Sequence, residues 1–414
     1  MSGLKRLTSM GLLLAALCTA QAAHAAWITS WTAAPLPPGA AMGPIPATPS
    51  FQNQTLRQIL RLSAGGSAVR VRLSNAYGAT PLAIGGARLA LLDAAGQEVP
   101  GSSRTLSFGG TPSALVARAA PLLSDPVALQ IPPLARVAIS IYLPGDTGPC
   151  TCHSMALDDT EISPPGDFTT KPFVPESVKT ARAFIAAVEV DAPARAATVV
   201  VMGDSISDGV GSTHKANRRW PDLLAERLAH RGGRAWGVAN QGIGGNRVLS
   251  DGMGESALAR LDRDVFSLPG VKALIIFEGV NDLGLSFGRF EGPLAGILKS
   301  FPAREISAAQ MIAGYRQLIE RAHAVGIKVY GATIAPYKGA MYWSPEGEAV
   351  RQEINRFIRT SGAFDAVLDF DQVLADPADP LAMSAAYHMG DHLHGNDAGY
   401  QALADSIDLG LFAR

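Results

Sequence analysis

The chain is poor in cysteine, in aromatic side chains and in net charge, and each shortage excludes something. Three cysteines in 414 residues cannot build a disulfide framework. Cys150 and Cys152, even with His153 beside them, fall short of the four ligands of a structural zinc site. A C-x-C ring is tight, so the sequence leaves open whether these two are bonded. With 35 basic against 36 acidic residues, no cationic surface for nucleic acid is expected. The most apolar stretch, Met10 to Cys18, is far shorter than the ~20 residues of a spanning helix, which excludes a stable membrane anchor there. Repeats and low-complexity tracts are absent. Charged residues at 17 % and hydrophobic ones at 47 % leave no room for disorder on a large scale.

What is present begins with a leader. Lys5 and Arg6 precede the apolar run, and Ala23-His24-Ala25 follows it as an A-x-A cleavage signal, so residues 1–25 read as a signal peptide and the protein as secreted or periplasmic. Without them 33 basic and 36 acidic residues remain, a formal charge of −3. The length predicts two or three structural units. The 43 glycines and 28 prolines predict many turns and long ordered loops.

Two patterns divide the mature chain. Over residues 26–165 short segments alternate with period two between Gly, Pro and Asn turns. In "AVRVRLSN" Val69, Val71 and Leu73 share one face and Arg70, Arg72 and Ser74 the other, as in a half-solvated antiparallel strand. An all-β sandwich or jelly-roll-like module is expected here. Residues 166–196 are polar and proline-bearing and read as a linker. From 197 to 414 apolar strands such as Leu274 to Phe277 alternate with amphipathic helices, which predicts an α/β doubly wound parallel sheet with helices on both faces.

In such sheets ligands gather beyond the carboxyl ends of the strands. Four polar clusters fall there in order: Ser205 in "GDSISDG", then "NQGIGGNR", then "GVNDLG", and finally "DHLH" before the last helix. A serine hydroxyl is a weak nucleophile until a base takes its proton and a third group orients that base. His394 and Asp391 are spaced to do both from one loop. Donors for the resulting oxyanion are available from the Ser205 N–H, a glycine N–H at Gly245 or its neighbour Gly244, and the Asn281 amide. Asp204 reads as loop support and Asp208 as a cap or turn residue. His153, His214, His230, His323 and His388 lack a spaced partner and read as ordinary surface or core residues. His392 lies beside the base but is not assigned a catalytic role.

These four blocks resemble those of the GDSL or SGNH hydrolases, over about residues 197 to 412. The resemblance implies a flavodoxin-like sheet and esterase, lipase or carbohydrate deacetylase activity without metal or cofactor. Carried over residue by residue, it makes Ser205 the nucleophile, His394 the base, Asp391 its orienting acid, and Gly245 and Asn281 oxyanion donors. Gly395 stands where the family usually has proline after the histidine.

A metal-dependent phosphoesterase would need an early Asp-x-His pair, which this chain lacks. A non-enzymatic glycan-binding protein would have no use for the intact Ser205, Asn281, Asp391 and His394. The long segment after Asn281 is expected to line or lid an acyl pocket, with Phe287, Phe290 and Phe301 joined by Tyr337, Tyr342 and Trp343. The leader and the second module resemble polysaccharide-directed members such as xylan acetylesterases. The expected partner is therefore an acylated polysaccharide or small molecule, with short-chain esterase, lipase or lysophospholipase activity as the alternative.

Overall fold

The computed structural model describes residues 26–41, 46–290 and 306–413, together with Gly296, Lys299 and Phe301. The leader and about half of the expected lid lie outside the described residues. The amino-terminal part is a two-sheet antiparallel sandwich. One sheet runs β1 (Ala26–Thr32), β8 (Ile185–Ala192), β3 (Gly66–Ser74), with the short strands Pro121–Leu123 and Val127–Ile131 on the far side of β3. In the other, β7 (Thr160–Pro165), β2 (Gln54–Arg61), β5 (Arg136–Leu143) and β4 (Gly86–Leu92) lie side by side. β6 (Cys152–Ser154) pairs with Ala181–Ala183. Val69, Val71 and Leu73 of one sheet and Leu56, Leu60, Leu89 and Ile139 of the other share one core, as period-two side chains facing inward must.

One expectation changes here. The segment 166–196 is not a linker, because its last part forms β8, which fills the middle of the first sheet between β1 and β3. That pairing joins strands some 160 residues apart, and no local pattern announces it. The face of β3 that carries Arg70 and Arg72 stays partly exposed, as expected, and its charges are paired. Both guanidiniums hold Glu189, which is fully buried, and Arg72 also donates to the Ser267 carbonyl of the second domain. A buried charge is tolerable only when paired in this way.

The second domain begins directly after Pro193–Ala196. Its five strands, β9 (Ala197–Gly203), β10 (Trp236–Gly242), β11 (Val271–Phe277), β12 (Lys328–Ala332) and β13 (Ala366–Leu368), are parallel in the order β10-β9-β11-β12-β13. Counted along the domain this is 2-1-3-4-5, the flavodoxin-like winding. The helices are α1 (Ser205–Asp208), α2 (Trp220–Arg231), α3 (Ala257–Leu261, continued by a π-turn over Asp262–Phe266), α4 (Val280–Phe287), α5 (Ala308–Ala324), α6 (Pro345–Thr360), α7 (Phe370–Leu374) and α8 (Asp397–Ser406). Their starts follow the sequence: Ser307 and Gln310 form a capping box at α5, Ser344 caps α6 with Pro345 next, and Asn396 caps α8. Val199 to Met202 and Leu274 to Ile276 are buried from both faces.

The two domains abut closely. The Thr29 N–H donates to Thr198 Oγ1 at 2.9 Å and the Val238 N–H to Ser63 Oγ at 2.8 Å. A Cβ at Gly237 would lie 1.9 Å from the Thr29 carbonyl oxygen, so only glycine permits this approach.

Candidate active site

The winding order reverses between β9 and its neighbours, and the crevice beyond the strand ends at this switch point is where such sheets bind ligands. β9 ends at Gly203, Asp204 turns the chain, and Ser205 opens α1. The Asp204 carboxylate caps that turn by accepting from the Ile206 N–H at 2.9 Å. As the first helical residue, Ser205 points its N–H outward along the helix axis, where the helix supplies no acceptor.

After β10 the chain turns through Ile243 to Asn246. Ile243 donates to the Gly203 carbonyl at 3.0 Å and Asn246 to the Ile243 carbonyl at 3.0 Å. Gly245, with φ of 72°, takes the left-handed conformation this turn needs. After β11, Gly279 starts α4, which brings Asn281 and Asp282 over the same turn. Asn281 Nδ2 donates to the Asn246 carbonyl at 3.0 Å, and Asp282 accepts from Val248 and Leu249 at 2.8 and 3.1 Å. The two acid–amide neighbours of "GVND" therefore clamp the second loop to the third strand.

The fourth cluster arrives from a loop closed by the His388–Gly395 bridge. His394 Nε2 lies 2.8 Å from Ser205 Oγ, and its Nδ1 lies 2.6 Å from Asp391 Oδ2. Asp391 Oδ1 also accepts from the backbone N–H groups of Leu393 and His394 at 3.0 and 2.9 Å, which fixes the carboxylate to its own loop. Burial pushes the Asp391 carboxyl up, but the hydrogen bond and charge of His394 and the two amides outweigh it, bringing it down to about 2. The acid is thus held ionised, ready to orient an imidazole. Gly395, in place of proline, packs against the Tyr400 ring and leaves the contact intact.

Residues 201–402 match the GDSL-like lipase/acylhydrolase family. The second domain belongs to this family. It is a carboxylic ester hydrolase, and the β-sandwich lies outside the matched segment. Solved structures similar to the GDSL domain include a member of the lipolytic protein G-D-S-L family from Veillonella parvula DSM 2008. It is 19% identical, with a TM-score of 0.38 over 53% of this chain and 100% of that one. The lipase/acylhydrolase from Enterococcus faecalis is 19% identical, with a TM-score of 0.36 over 51% of this chain and 92% of its own. An alpha/beta hydrolase enzyme from the metagenome of Lake Arreo, Spain, is 21% identical, with a TM-score of 0.38 over 51% and 94%. No curated protein matches the chain.

Beneath the loops of the GDSL domain runs a network that sequence reasoning missed. Arg260, fully buried, donates to Asn246 Oδ1 at 3.0 Å, to the carbonyls of Gln241 and Gly203 at 2.7 and 3.2 Å, and to Asp264 and Glu278 at 3.1 and 3.2 Å. One guanidinium thereby ties the ends of β9, β10 and β11 together. A signal existed: Ala257, Arg260, Leu261, Asp264 and Val265 have the spacing of a buried helical stripe, and a charge pair within it implies partners inside. Burial raises Glu278 well above the usual carboxylate range, with the charge of Asp204 adding to it. Burial likewise lifts Asp204 to about 7 and Asp282 to about 6, against the amides that hold each of them.

The expected acyl-pocket residues separate. Tyr337 is 1% exposed and packs beside Gly347 of α6, so it belongs to the core and lines no open pocket. Its burial follows from helix packing that its loop position does not reveal. Phe287 and Trp343 pack partly buried on the same core. Phe290 and Tyr342 meet edge to face at 5.8 Å. Tyr342 sits against Gly284, and burial, reinforced by the Asp204 charge and opposed by Arg247, pushes its phenol up to about 12. Three histidines taken to lack partners have aspartates remote in sequence: His153 meets Asp208, His214 meets Asp159, and His323 meets Asp365. Cys150 and Cys152 are bonded to each other.

Proposed function

We propose that the GDSL domain hydrolyses short-chain acyl esters, acetyl esters above all, on polysaccharide or other substrates outside the cytoplasm, through an acyl-enzyme on Ser205. The observation that carries this reading is the continuous line from Ser205 Oγ to His394 Nε2 at 2.8 Å and from His394 Nδ1 to Asp391 Oδ2 at 2.6 Å. The carboxylate only accepts, so Nδ1 carries a hydrogen and Nε2 offers its lone pair to the hydroxyl. As Oγ bonds to the ester carbonyl carbon, its proton passes to Nε2. Negative charge collects on the carbonyl oxygen, facing the N–H groups of Ser205 and Gly245 and the second hydrogen of Asn281 Nδ2. Collapse breaks the bond to the alcohol, which leaves with the proton from Nε2. Water then attacks the acyl carbon, gives its proton to Nε2, and Ser205 Oγ departs and regains it.

Support for a small acyl group comes from the crowding of Phe290 and Tyr342 beside α4. Support for an extracellular substrate comes from the leader pattern of residues 1–25. The sandwich domain supports a bulky substrate, in the manner of polysaccharide deacetylases. No helix among the described residues is long and apolar enough to cross a membrane. The test is labelling with a fluorophosphonate followed by peptide mapping, alongside p-nitrophenyl esters of increasing chain length and acetylated xylan. Label on Ser205, with acetate released faster than longer acids, is expected. Label elsewhere, or activity in Ser205→Ala, would remove the mechanism. Equal turnover of every chain length would remove the acetyl preference.

A further inference from the structure

His153 and Asp208, two residues without an assigned role in ester hydrolysis, meet at the domain boundary directly behind Ser205. Both are buried, at 5% and 3% exposure. His153 sits on β6 of the sandwich, and its Nδ1 lies 2.9 Å from the Ala34 carbonyl oxygen. A carbonyl only accepts, so Nδ1 bears the hydrogen. Its Nε2 lies 2.9 Å from Asp208 Oδ1. That contact must hold one further proton, either on the imidazole or on the acid, and in both forms the buried pair is neutral overall.

Asp208 closes the turn that Ser205 opens, and its N–H donates to the Asp204 carbonyl at 2.9 Å. A single helical turn cannot hold itself, because its few hydrogen bonds do not offset the cost of nucleation. Asp204 pins the front of the turn, and His153 pins the back. The same stretch of the sandwich reaches the oxyanion loop: Ala34 and Leu36 bury Ile243 between them, and the Leu36 N–H donates to the Cys152 carbonyl at 2.9 Å. The bonded Cys150 and Cys152 stand immediately before His153 and fix its backbone.

We propose that His153 is a positioning residue of the hydrolase, through which the β-sandwich holds the α1 turn, and with it the Ser205 hydroxyl, in line with His394. This rests on Ser205 being the nucleophile. The sandwich is then part of the working active site rather than a detachable binding module. Other groups face the pair. Arg219 opposes a proton on His153, and Tyr400 on α8 is near enough to feel the Asp208 charge. Burial works most strongly against a charged His153, but the charge and hydrogen bond of Asp208, with the Ala34 carbonyl, outweigh burial and Arg219 together, and the imidazole is held above its ordinary value. A raised histidine keeps its bond below its ordinary value and loses it as pH rises through the higher folded value. Positioning should therefore fail on the alkaline side.

The test compares three purified full-length variants, by kcat and KM for p-nitrophenyl acetate across pH and by the rate of fluorophosphonate labelling of Ser205. His153→Ala is expected to lower kcat and labelling rate about 10- to 100-fold, the cost of a small misplacement of a reacting group, with KM within about twofold and circular dichroism unchanged. Asp208→Asn can donate from Nδ2 to Nε2 while Nδ1 keeps Ala34, so it restores the hydrogen bond without the extra proton. It is expected to recover most of kcat and to lose the alkaline decline. His153→Ala turning over within twofold of the parent, or losing only KM, would overturn the proposal. So would Asp208→Asn with kcat more than about 10-fold below the parent and an unaltered alkaline limb, and this arm decides the matter should His153→Ala not fold. Ser205→Ala that still hydrolyses or labels would instead refute the nucleophile assignment itself.

Discussion

Replacing Arg260 by methionine tests whether one buried cation holds the active-site loops in register. The side chain makes five hydrogen bonds, and the substitution keeps most of its volume while deleting all of them. Not every partner is orphaned. Asp264 keeps Arg263 at 2.7 Å, the Gly203 carbonyl keeps the Ile243 N–H, and Glu278, already raised by burial, can take a proton. The acceptors left without this donor are the Gln241 carbonyl and Asn246 Oδ1, each costing about 1–3 kcal/mol when buried and unpaired. Together with the strained neutralisation of Glu278, a loss of about 3–5 kcal/mol is expected, the range for breaking a buried charged network. Urea unfolding followed by tryptophan fluorescence would measure it, with the midpoint and slope fitted per transition because two domains need not unfold together. Turnover should fall as well, since Asn246 supplies the carbonyl on which Asn281 rests. A stability loss below about 1 kcal/mol, no more than a single ordinary hydrogen bond, together with normal turnover would refute the idea that this cation organises the strand ends.

Asn281→Ala should remove one oxyanion donor and cost roughly 10² to 10³ in kcat, read with p-nitrophenyl acetate at saturation. Asp391→Asn should lower kcat strongly with little change in KM, because it frees the imidazole to turn; steady-state kinetics with both constants would check this. The lowered Asp391 carboxyl contributes stability that is present above its ordinary value and is lost as pH falls through about 2. Acid unfolding of Asp391→Asn should accordingly lack a component that the parent shows in that window. Phe290→Ala or Tyr342→Ala should broaden chain-length preference toward longer acyl groups, as a panel of p-nitrophenyl esters would register.

The buried acids below Ser205 bear on why this surface is built from ties rather than from bulk packing. Asp204 holds the α1 turn, Asp282 holds the second loop, and Glu278 meets Arg260. The first two are carboxyls taken out of water to fix backbone that a short loop would otherwise leave loose, and the third pairs with the guanidinium that ties the strand ends. Oxyanion donors act only when held in place before the charge arrives, so the rigidity of this layer is part of the chemistry.

The sequence by itself determined the alternation of strand and helix after residue 197, the helix caps, and the order in which Ser205, the Gly244–Gly245 turn, Asn281 and the Asp391–His394 pair reach the sheet end. These are local properties, set by periodicity and by short-range spacing, and parallel winding then carries them to one edge. Tertiary structure alone decided that residues 185–192 return to the sandwich, that Arg70 and Arg72 face a buried Glu189, that Tyr337 is core, and that Arg260 and His153 serve the active-site layer. Each of those facts is a contact between residues far apart along the chain. A charge or a histidine carries no mark in its own neighbourhood of the partner that will neutralise it, so only the folded chain reveals which buried polar groups were brought inside together.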